Sequence, residues 1–269
     1  MLTVAYDGTD YCGWQIQPDE ETIEGVLDRE LSRLLGEKIR VIGASRTDAG
    51  VHAEGAVAVF DTDSKIPGDK FSYALNQSLP DDIVIRRSKE VAADFHPRKT
   101  ECRKTYRYSI WHDEFPLPTL SRYTDWVHYP LDPEPMREAA KHFVGEHDFA
   151  AFCSAATDAQ STVRTIYDMR IETSWREGGG IETGAGRCGE NVRDGICKGG
   201  RKYHGRIDIY VTGNGFLYNM VRIIAGTLID VGEGRTKPED IPGIIASCDR
   251  SRAGDTAPAK GLTLIGYKF

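Results

Sequence analysis

The order in which strand-like and helix-like segments alternate is the feature that most limits what this chain can fold into. Over the first 90 residues, short β-rich runs alternate with two runs whose apolar side chains recur at helical spacing. The first helical run follows Thr22, a candidate N-cap, and stops at Gly36. The predicted order is a strand over 2–6, a helix over 23–35, strands over 39–44 and 55–60, a helix over 67–79 and a strand over 83–87.

The pattern nearly repeats in the second part of the 269-residue chain. We predict strands over 104–111, 164–175, 205–212 and 262–269, and helices over 136–144, 217–228 and 241–247. An order of strand, helix, two strands, helix and strand fits an antiparallel sheet with helices on one face, the ferredoxin-like arrangement. The sequence therefore predicts an α+β fold of two ferredoxin-like halves, residues 1–100 and 101–269. In the second half, residues 177–202 carry nine glycines and no apolar period, which is typical of a mobile hairpin insertion.

Charge is distributed unevenly along the chain. The whole chain has 34 Lys plus Arg against 41 Asp plus Glu, a net charge of -7. Residues 86–107 carry eight basic and three acidic side chains, so this stretch is +5 and the remainder is -12. A basic stripe on an acidic body can bind one polyanion in one place while repelling others. The alternative is an ordinary solvated surface.

Several classes of protein and site are not expected. The longest stretch without an ionised side chain, residues 209–221, is too short for a membrane helix, and the N-terminus lacks the pattern of a signal peptide. The six cysteines form no CxxC pair, which favours a reducing compartment, so we predict a cytoplasmic protein. Cys188, Cys197 and His204 lack the paired spacing of a zinc site, and no phosphate-binding loop occurs. We predict neither a metal nor a cofactor.

The densest chemical signal is SRTDAGVHA at residues 45–53, between two predicted strands. Asp48 followed by Ala-Gly is first of all a turn signal. Arg46, Asp48 and His52 nevertheless bring a cation, a carboxylate and an imidazole within a few residues, which suits anion docking, nucleophilic or general-base catalysis and proton transfer. For His52 a structural role and a phosphate contact remain equally open.

SRTDAGVHA closely resembles the active-site segment of the TruA-type tRNA pseudouridine synthases. Other segments resemble that family in the same order: YDGTDYCGWQIQP at 6–18, FHPR at 95–98, KTYRYSIW at 104–111, NGFLYNMVRIIAGTL at 214–228 and APAKGLTL at 257–264. The resemblance spans essentially the whole chain. Two features depart from compact members: the insertion at 177–202, and Thr263 where an aromatic residue is common.

The resemblance implies an isomerase that converts uridine to pseudouridine in the tRNA anticodon stem-loop, with positions 38 to 40 expected as targets. It implies two ferredoxin-like halves around a central basic cleft, and a homodimer that grips one tRNA. Asp48 matches the catalytic aspartate, Arg222 the arginine that pairs with it, and Tyr106 the tyrosine that stacks on the uracil. Leu262 matches an apolar residue that lines the same pocket.

The resemblance also gives the basic stretch a purpose. Arg46 is expected to contact the RNA backbone or to help extrude the target nucleotide, because a base inside a stem must leave the stack before a carboxylate can reach its sugar. His96 and Arg98 of FHPR are expected to dock phosphates of the stem. In isolation, Arg222 could equally be a solvated helix residue, Tyr106 a sheet-packing residue and Leu262 a core residue.

Two other functions stay open at this point. A tRNA-binding or chaperone module would use the same basic cleft without catalysis, and it would keep its function after Asp48→Ala. A small-molecule enzyme on a ferredoxin-like scaffold would neither bind tRNA nor depend strongly on salt.

Overall fold

A computed structural model describes residues 1–154, 160–175 and 205–269. The predicted insertion at 177–202 and the trio Cys188, Cys197 and His204 lie outside these residues. The strands are β1 (Leu2–Tyr6), β2 (Ile42–Gly43), β3 (His52–Val59), β4 (Ile83–Ser88), β5 (Arg103–His112), β6 (Asp125–Val127), β7 (Gly145–Asp148), β8 (Val163–Trp175), β9 (Gly205–Gly213) and β10 (Leu262–Lys268). The α-helices are α1 (Ile23–Leu35), α2 (Phe71–Leu75), α3 (Pro133–Lys141), α4 (Met220–Gly232) and α5 (Ile241–Ser247).

The ten strands of the described residues form one continuous sheet. The order is β4-β1-β3-β10-β5-β9-β8-β7, with β2 beside β3 and β6 beside β5. All pairs are antiparallel except β3 with β10 and β5 with β6. The prediction of helices combined with a mostly antiparallel sheet is therefore confirmed. What joins the two parts of the sheet is the C-terminal strand β10, because it pairs with β3 on one side and β5 on the other.

One edge of β3 is shared by two strands. At its far end β3 pairs with β2, where Gly43 opposes Ala58. At its beginning β3 pairs with β10, where Thr263 opposes His52. The loop of residues 44–51 therefore runs back along this edge, from the end of β2 to the point where β10 joins. This loop contains the SRTDAGV part of the SRTDAGVHA motif, and the last two residues, His52 and Ala53, begin β3. The topology therefore places the motif at the junction of the two parts of the sheet.

Helix α1 forms as its sequence predicts. The Thr22 side chain accepts a hydrogen bond from the Gly25 N–H, and Gly36 ends the helix with a φ of +69°. Its apolar face, including Val26 and Leu31, is fully buried.

Strand β2 is shorter than predicted because side chains of α1 bind the backbone of the residues that precede the strand. Ser32 Oγ accepts from the Ile39 N–H at 2.9 Å, and Asp28 Oδ1 accepts from the Val41 N–H at 2.7 Å. These donors are used by a helix and are no longer offered to a neighbouring strand. Strand β3 begins three residues earlier than predicted, at His52.

Helix α2 is also shorter than the predicted 67–79. Its end is fixed by Asn76, whose amide exchanges two hydrogen bonds with the backbone of Ile85 in β4, at 2.8 and 3.0 Å. Strands β6 and β7 were not predicted, and they are short edge strands of three and four residues. Gly145 begins β7 instead of closing the preceding helix, which ends at Lys141.

The second part of the sheet carries the most regular alternation. In β9, Ile207, Ile209 and Val211 are fully buried, and the residues between them are partly exposed. Helix α4 covers this region with an almost entirely buried sequence. No helix among the described residues is long and apolar enough to cross a membrane.

Candidate active site

A cleft of about 910 Å³ opens where the 44–51 loop faces β5, the start of α4 and the start of β10. It is lined by five of the seven residues that the sequence predicts for the site: Arg46, Asp48, Arg98, Tyr106 and Leu262. The chain segments that carry them are far apart in sequence, and the junction of β3, β10 and β5 brings them together.

The end of β1 and the segment that follows it fix the shape of the 44–51 loop. The backbone N–H of Trp14 donates to the Thr47 carbonyl at 3.0 Å, and the Tyr6 hydroxyl lies 2.8 Å from Thr47 Oγ1. Gly13 has a φ of +83°, and a Cβ at this position would lie 2.5 Å from the Thr47 carbonyl oxygen. The close approach therefore requires glycine, and it holds the residue before Asp48 in place.

Asp48 lies in the middle of the cleft wall with a half-buried carboxylate. Its Oδ2 is 3.9 Å from Arg222 Nη1. Burial raises the pKa of Asp48, because water no longer stabilises the charged form, while the nearby Arg222 guanidinium lowers it. The net direction is upward. The site thus holds a carboxylate that is more basic than an ordinary aspartate.

Arg222 is held by hydrogen bonds and is not a solvated helix residue. It lies in the first turn of α4, which begins at Met220 rather than near the predicted 217. Its Nε donates to the Ala257 carbonyl at 2.7 Å, and its Nη1 donates to Asn219 Oδ1 at 2.8 Å. These two acceptors fix the plane of the guanidinium beside Asp48.

Tyr106 and Leu262 form an apolar wall of the cleft. Tyr106 is 7% exposed, and its ring meets that of Phe216 edge to face, with centroids 5.2 Å apart. Burial raises the pKa of Tyr106 well above its ordinary value, and the Ser45 hydroxyl acts in the opposite direction. Leu262 pairs with Tyr108 at the start of β10 and is also buried. A flat apolar wall of this kind suits a nucleobase.

Three cations of the described residues lie along the cleft. Arg46 is exposed, Arg98 donates through Nε to the Gly43 carbonyl at 2.8 Å, and Lys104 is half-buried. Burial lowers the pKa of Lys104, and Arg164 and Arg98 lower it further. The acidic residues of the lining are Asp48 and Glu20.

The two histidines of the matching motifs have local structural partners. His96 does not line the cleft, and its Nδ1 accepts from the Arg98 N–H at 3.2 Å. His52 is 4% exposed. Its Nε2 lies 2.9 Å from the Arg122 carbonyl, and its Nδ1 accepts from the Gly8 N–H at 3.0 Å. These contacts favour the structural interpretation of His52.

The sequence analysis did not single out Asn219 or Phe216. Both belong to the NGFLYNMVR segment, and both line the cleft. Apolar periodicity could have suggested Phe216 as a packing residue, whereas no local pattern distinguishes Asn219 from a helix cap. Among the described residues, no group of three or more His, Cys, Asp or Glu side chains is placed to hold a metal ion.

The chain is similar to known proteins over most of its length. A family model described as tRNA pseudouridine synthase matches residues 2–98 and 139–269. A protein of Brevibacillus brevis named tRNA pseudouridine synthase A is 47% identical over 97% of this chain and 95% of its own length. Proteins of the same name from Ruminiclostridium cellulolyticum and Caldicellulosiruptor saccharolyticus are 48% and 43% identical, over 98% and 100% of this chain and 96% and 98% of their own lengths. The chain therefore belongs to the tRNA pseudouridine synthase family.

Proposed function

We propose that this isomerase of tRNA uridines uses Asp48 as its catalytic carboxylate and acts on the anticodon stem-loop, at positions 38 to 40. Family membership gives the reaction class, the isomerisation of uridine to pseudouridine in tRNA. The observation that carries the residue assignment is the position of Asp48, 3.9 Å from Arg222 in a cleft walled by Tyr106 and Leu262.

The reaction breaks one bond to the sugar and makes another. The N1–C1′ bond is cleaved, the freed uracil turns, and C5 bonds to C1′. The proton that leaves C5 is balanced by a proton gained at N1, so the product has the composition of the substrate. A carboxylate can begin this sequence in two ways, by adding to C1′ as a nucleophile or by removing a ribose proton to give a glycal-like intermediate.

The neighbours of Asp48 support both routes. Arg222 supplies a positive charge that favours the ionised carboxylate and so partly offsets the effect of burial on the pKa of Asp48. Tyr106 and Leu262 offer an apolar surface on which the freed uracil can turn without leaving the cleft. Because the intermediate would be lost to water, a wall of buried side chains serves the chemistry as well as binding.

The cations of the cleft suit the RNA backbone. Arg46 is two residues from Asp48 and exposed, where it can take the place of the extruded nucleotide or bind its phosphate. Arg98 and Lys104, with His96 at the adjacent turn, would dock phosphates of the stem, recognising shape more than sequence.

We also propose two ferredoxin-like halves, residues 1–100 and 101–269, around this basic cleft. The orders β4-β1-β3-β2 and β10-β5-β9-β8, each antiparallel, support this division. A cytoplasmic homodimer that holds one tRNA completes the proposal. It follows from the family resemblance, and the four free cysteines of the described part agree with a reducing compartment.

The test is to map pseudouridine in unmodified tRNA transcripts by carbodiimide labelling after incubation with chelator-treated protein. Transcripts with uridine replaced by cytidine at positions 38 to 40 serve as matched substrates. We expect product at anticodon-stem uridines of the unaltered transcript and none in the replaced one. Product elsewhere would overturn the location, and tRNA binding without product at any uridine would favour the non-catalytic binding module.

A further inference from the structure

Asn219 precedes α4 in a backbone conformation that is uncommon for a residue with a side chain. Its φ is +60°, in the left-handed region. Asparagine at the start of a helix usually caps an N–H group of the first turn, but the Asn219 side chain makes no such bond. Because this uncommon backbone conformation is not accompanied by a helix-capping hydrogen bond, the side chain is available for another role in the cleft, which Asn219 lines.

The Asn219 amide is bound at both ends. Its Oδ1 accepts from Arg222 Nη1 at 2.8 Å, and its Nδ2 donates to Ser154 Oγ at 3.0 Å. A guanidinium can only donate, so the amide must turn its oxygen toward Arg222. The side chain that could cap the helix is thus used to bind the guanidinium.

Arg222 depends on such support because its contact with Asp48 is loose. The nearest charged atoms of the pair are 3.9 Å apart, which is beyond hydrogen-bond distance. The shorter bonds of the guanidinium go to Asn219 and to the Ala257 carbonyl. Its position relative to the carboxylate is therefore set by these two acceptors.

We propose that Asn219 is a positioning residue that holds the Arg222 guanidinium beside Asp48 during the reaction. This inference rests on the proposed function of Asp48. Asn219 acts through Arg222.

Loss of the Asn219 amide oxygen should weaken the effect of the Arg222 charge on Asp48. Of the groups near Asp48, Arg222 comes from α4 and Tyr106 from β5, and Arg46 lies two residues away on the same loop. Arg98, Lys104 and Glu20 line the same cleft. Of these, Arg222 is the group that lowers the pKa of Asp48 against the effect of burial. A guanidinium free to turn away would leave burial less opposed, and the pKa would rise further.

The variant Asn219→Gly removes the amide and tolerates the left-handed backbone. We expect kcat to fall about tenfold, since the lost bond is to a charged group. KM for tRNA should change less than about twofold, because phosphate contacts lie elsewhere in the cleft. The acid limb of the kcat/KM profile should move to higher pH. In an Arg222→Gln background, Asn219→Gly should lower kcat no further.

Two further variants separate positioning from packing. Ser154→Ala removes the other partner of the amide and leaves the bond to Arg222, so its kinetics should stay close to those of the wild type. Asn219→Asp keeps an acceptor and tolerates the left-handed backbone, so it should recover most of kcat at pH values above the acid limb. Thermal unfolding of each variant verifies the fold.

Three results would overturn the proposal: an equal loss from Asn219→Gly in the wild-type and Arg222→Gln backgrounds, a loss with an unmoved pH profile, or the same loss from Ser154→Ala. Asp48→Asn, assayed in parallel, distinguishes failure of the proposed function from failure of the positioning role of Asn219. If Asp48→Asn stays active, the proposed function fails. If Asp48→Asn is inactive while Asn219→Gly behaves as wild type, only the positioning role fails.

Discussion

Asp48 stands between two opposing effects, burial in the cleft wall and the charge of Arg222. Burial is the larger, so the carboxyl holds its proton to a higher pH than a solvated aspartate does. The reaction needs the ionised form on either route. The proposed catalytic carboxylate is thus one whose ionised form the fold makes less favourable, which is common at active sites.

The pH dependence of the rate follows from this direction. Activity should be lost as the pH falls and Asp48 takes up its proton, and the midpoint should lie above the ordinary aspartate value of about 3.9. Single-turnover rates from pH 4 to 8 measure it. A midpoint at or below the ordinary value would show that Arg222 outweighs burial.

Stability should respond to Asp48 in the opposite sense from activity. A raised folded-state pKa means that the ionised carboxyl destabilises the folded state at pH values above that pKa, and that this cost disappears as the pH falls through it. Asp48→Asn should therefore unfold at a higher temperature than the wild type at pH 7, with a difference that shrinks toward low pH. Calorimetry of both proteins at pH 7 and at low pH tests this prediction, and a variant less stable than the wild type at pH 7 would contradict it.

Much of the site is visible in local sequence, and the rest depends on tertiary contacts. Asp48, Arg46 and Tyr106 lie in motifs whose residue types already suit the chemistry. The role of Asn219 depends on a φ of +60° and on partners 3 and 65 residues away, neither of which a local pattern reveals. His52 has the residue type of a catalytic group, yet the structure buries it against the backbone of Gly8 and Arg122 and the carboxylate of Asp7.

At the scale of elements, the loop of residues 44–51 depends on the segment after β1 for its shape. Helix α1 and strand β1 could be predicted with their bounds because their apolar period is set by local sequence, whereas β3 begins three residues earlier than predicted. Strand β2 and helix α2 could not be bounded, because Asp28, Ser32 and Asn76 bind backbone groups of other elements. Those bonds exist only once the chain has folded.

Gly13→Ala tests the support of the 44–51 loop. A Cβ here meets the Thr47 carbonyl at 2.5 Å in a left-handed backbone. We expect a loss of about 1 to 3 kcal/mol in the free energy of unfolding and a marked fall in kcat, since Thr47 precedes Asp48.

Gly36→Ala is the matched control for that substitution. Gly36 is also left-handed, with a φ of +69°, but a Cβ there meets nothing within 4 Å, and the residue ends α1. It should cost about 1 kcal/mol with unchanged kcat. Equal kcat values in the two variants would show that the loop does not need the close approach at Gly13.

At the scale of the whole molecule, β10 makes one sheet from two sets of strands. Leu264 of β10 pairs with Ala53 on one side and Tyr106 on the other, and it is fully buried. The closing strand also carries Leu262 into the cleft. Folding of the two parts and formation of the site should therefore be coupled.

Leu264→Ala tests this coupling. Removal of a buried leucine side chain should lower the free energy of unfolding by about 2 to 5 kcal/mol. Because β10 belongs to both parts, denaturation should remain a single transition by fluorescence and by circular dichroism. Ile42→Ala, at a partly exposed position of β2, should cost much less. Two separate transitions in the Leu264 variant would show that the parts fold independently.

Binding of tRNA to an acidic chain should depend on the few cations of the cleft. Lys104→Ala should weaken binding and reduce the slope of log K against log salt concentration by roughly one. Lys141→Ala, which removes a lysine paired with Glu138 on α3, is the control and should change neither quantity. An unchanged slope for Lys104→Ala would remove this residue from the RNA contact.

We propose that Asp48 carries out the isomerisation of a bound tRNA uridine. The most direct measurement is the single-turnover rate of pseudouridine formation by Asp48→Asn under saturating enzyme, with the tRNA dissociation constant determined for the same sample. We predict a rate lower than that of the wild type by on the order of a thousandfold or more, with binding retained. Product formed by Asp48→Asn at close to the wild-type rate would contradict the catalytic role of Asp48.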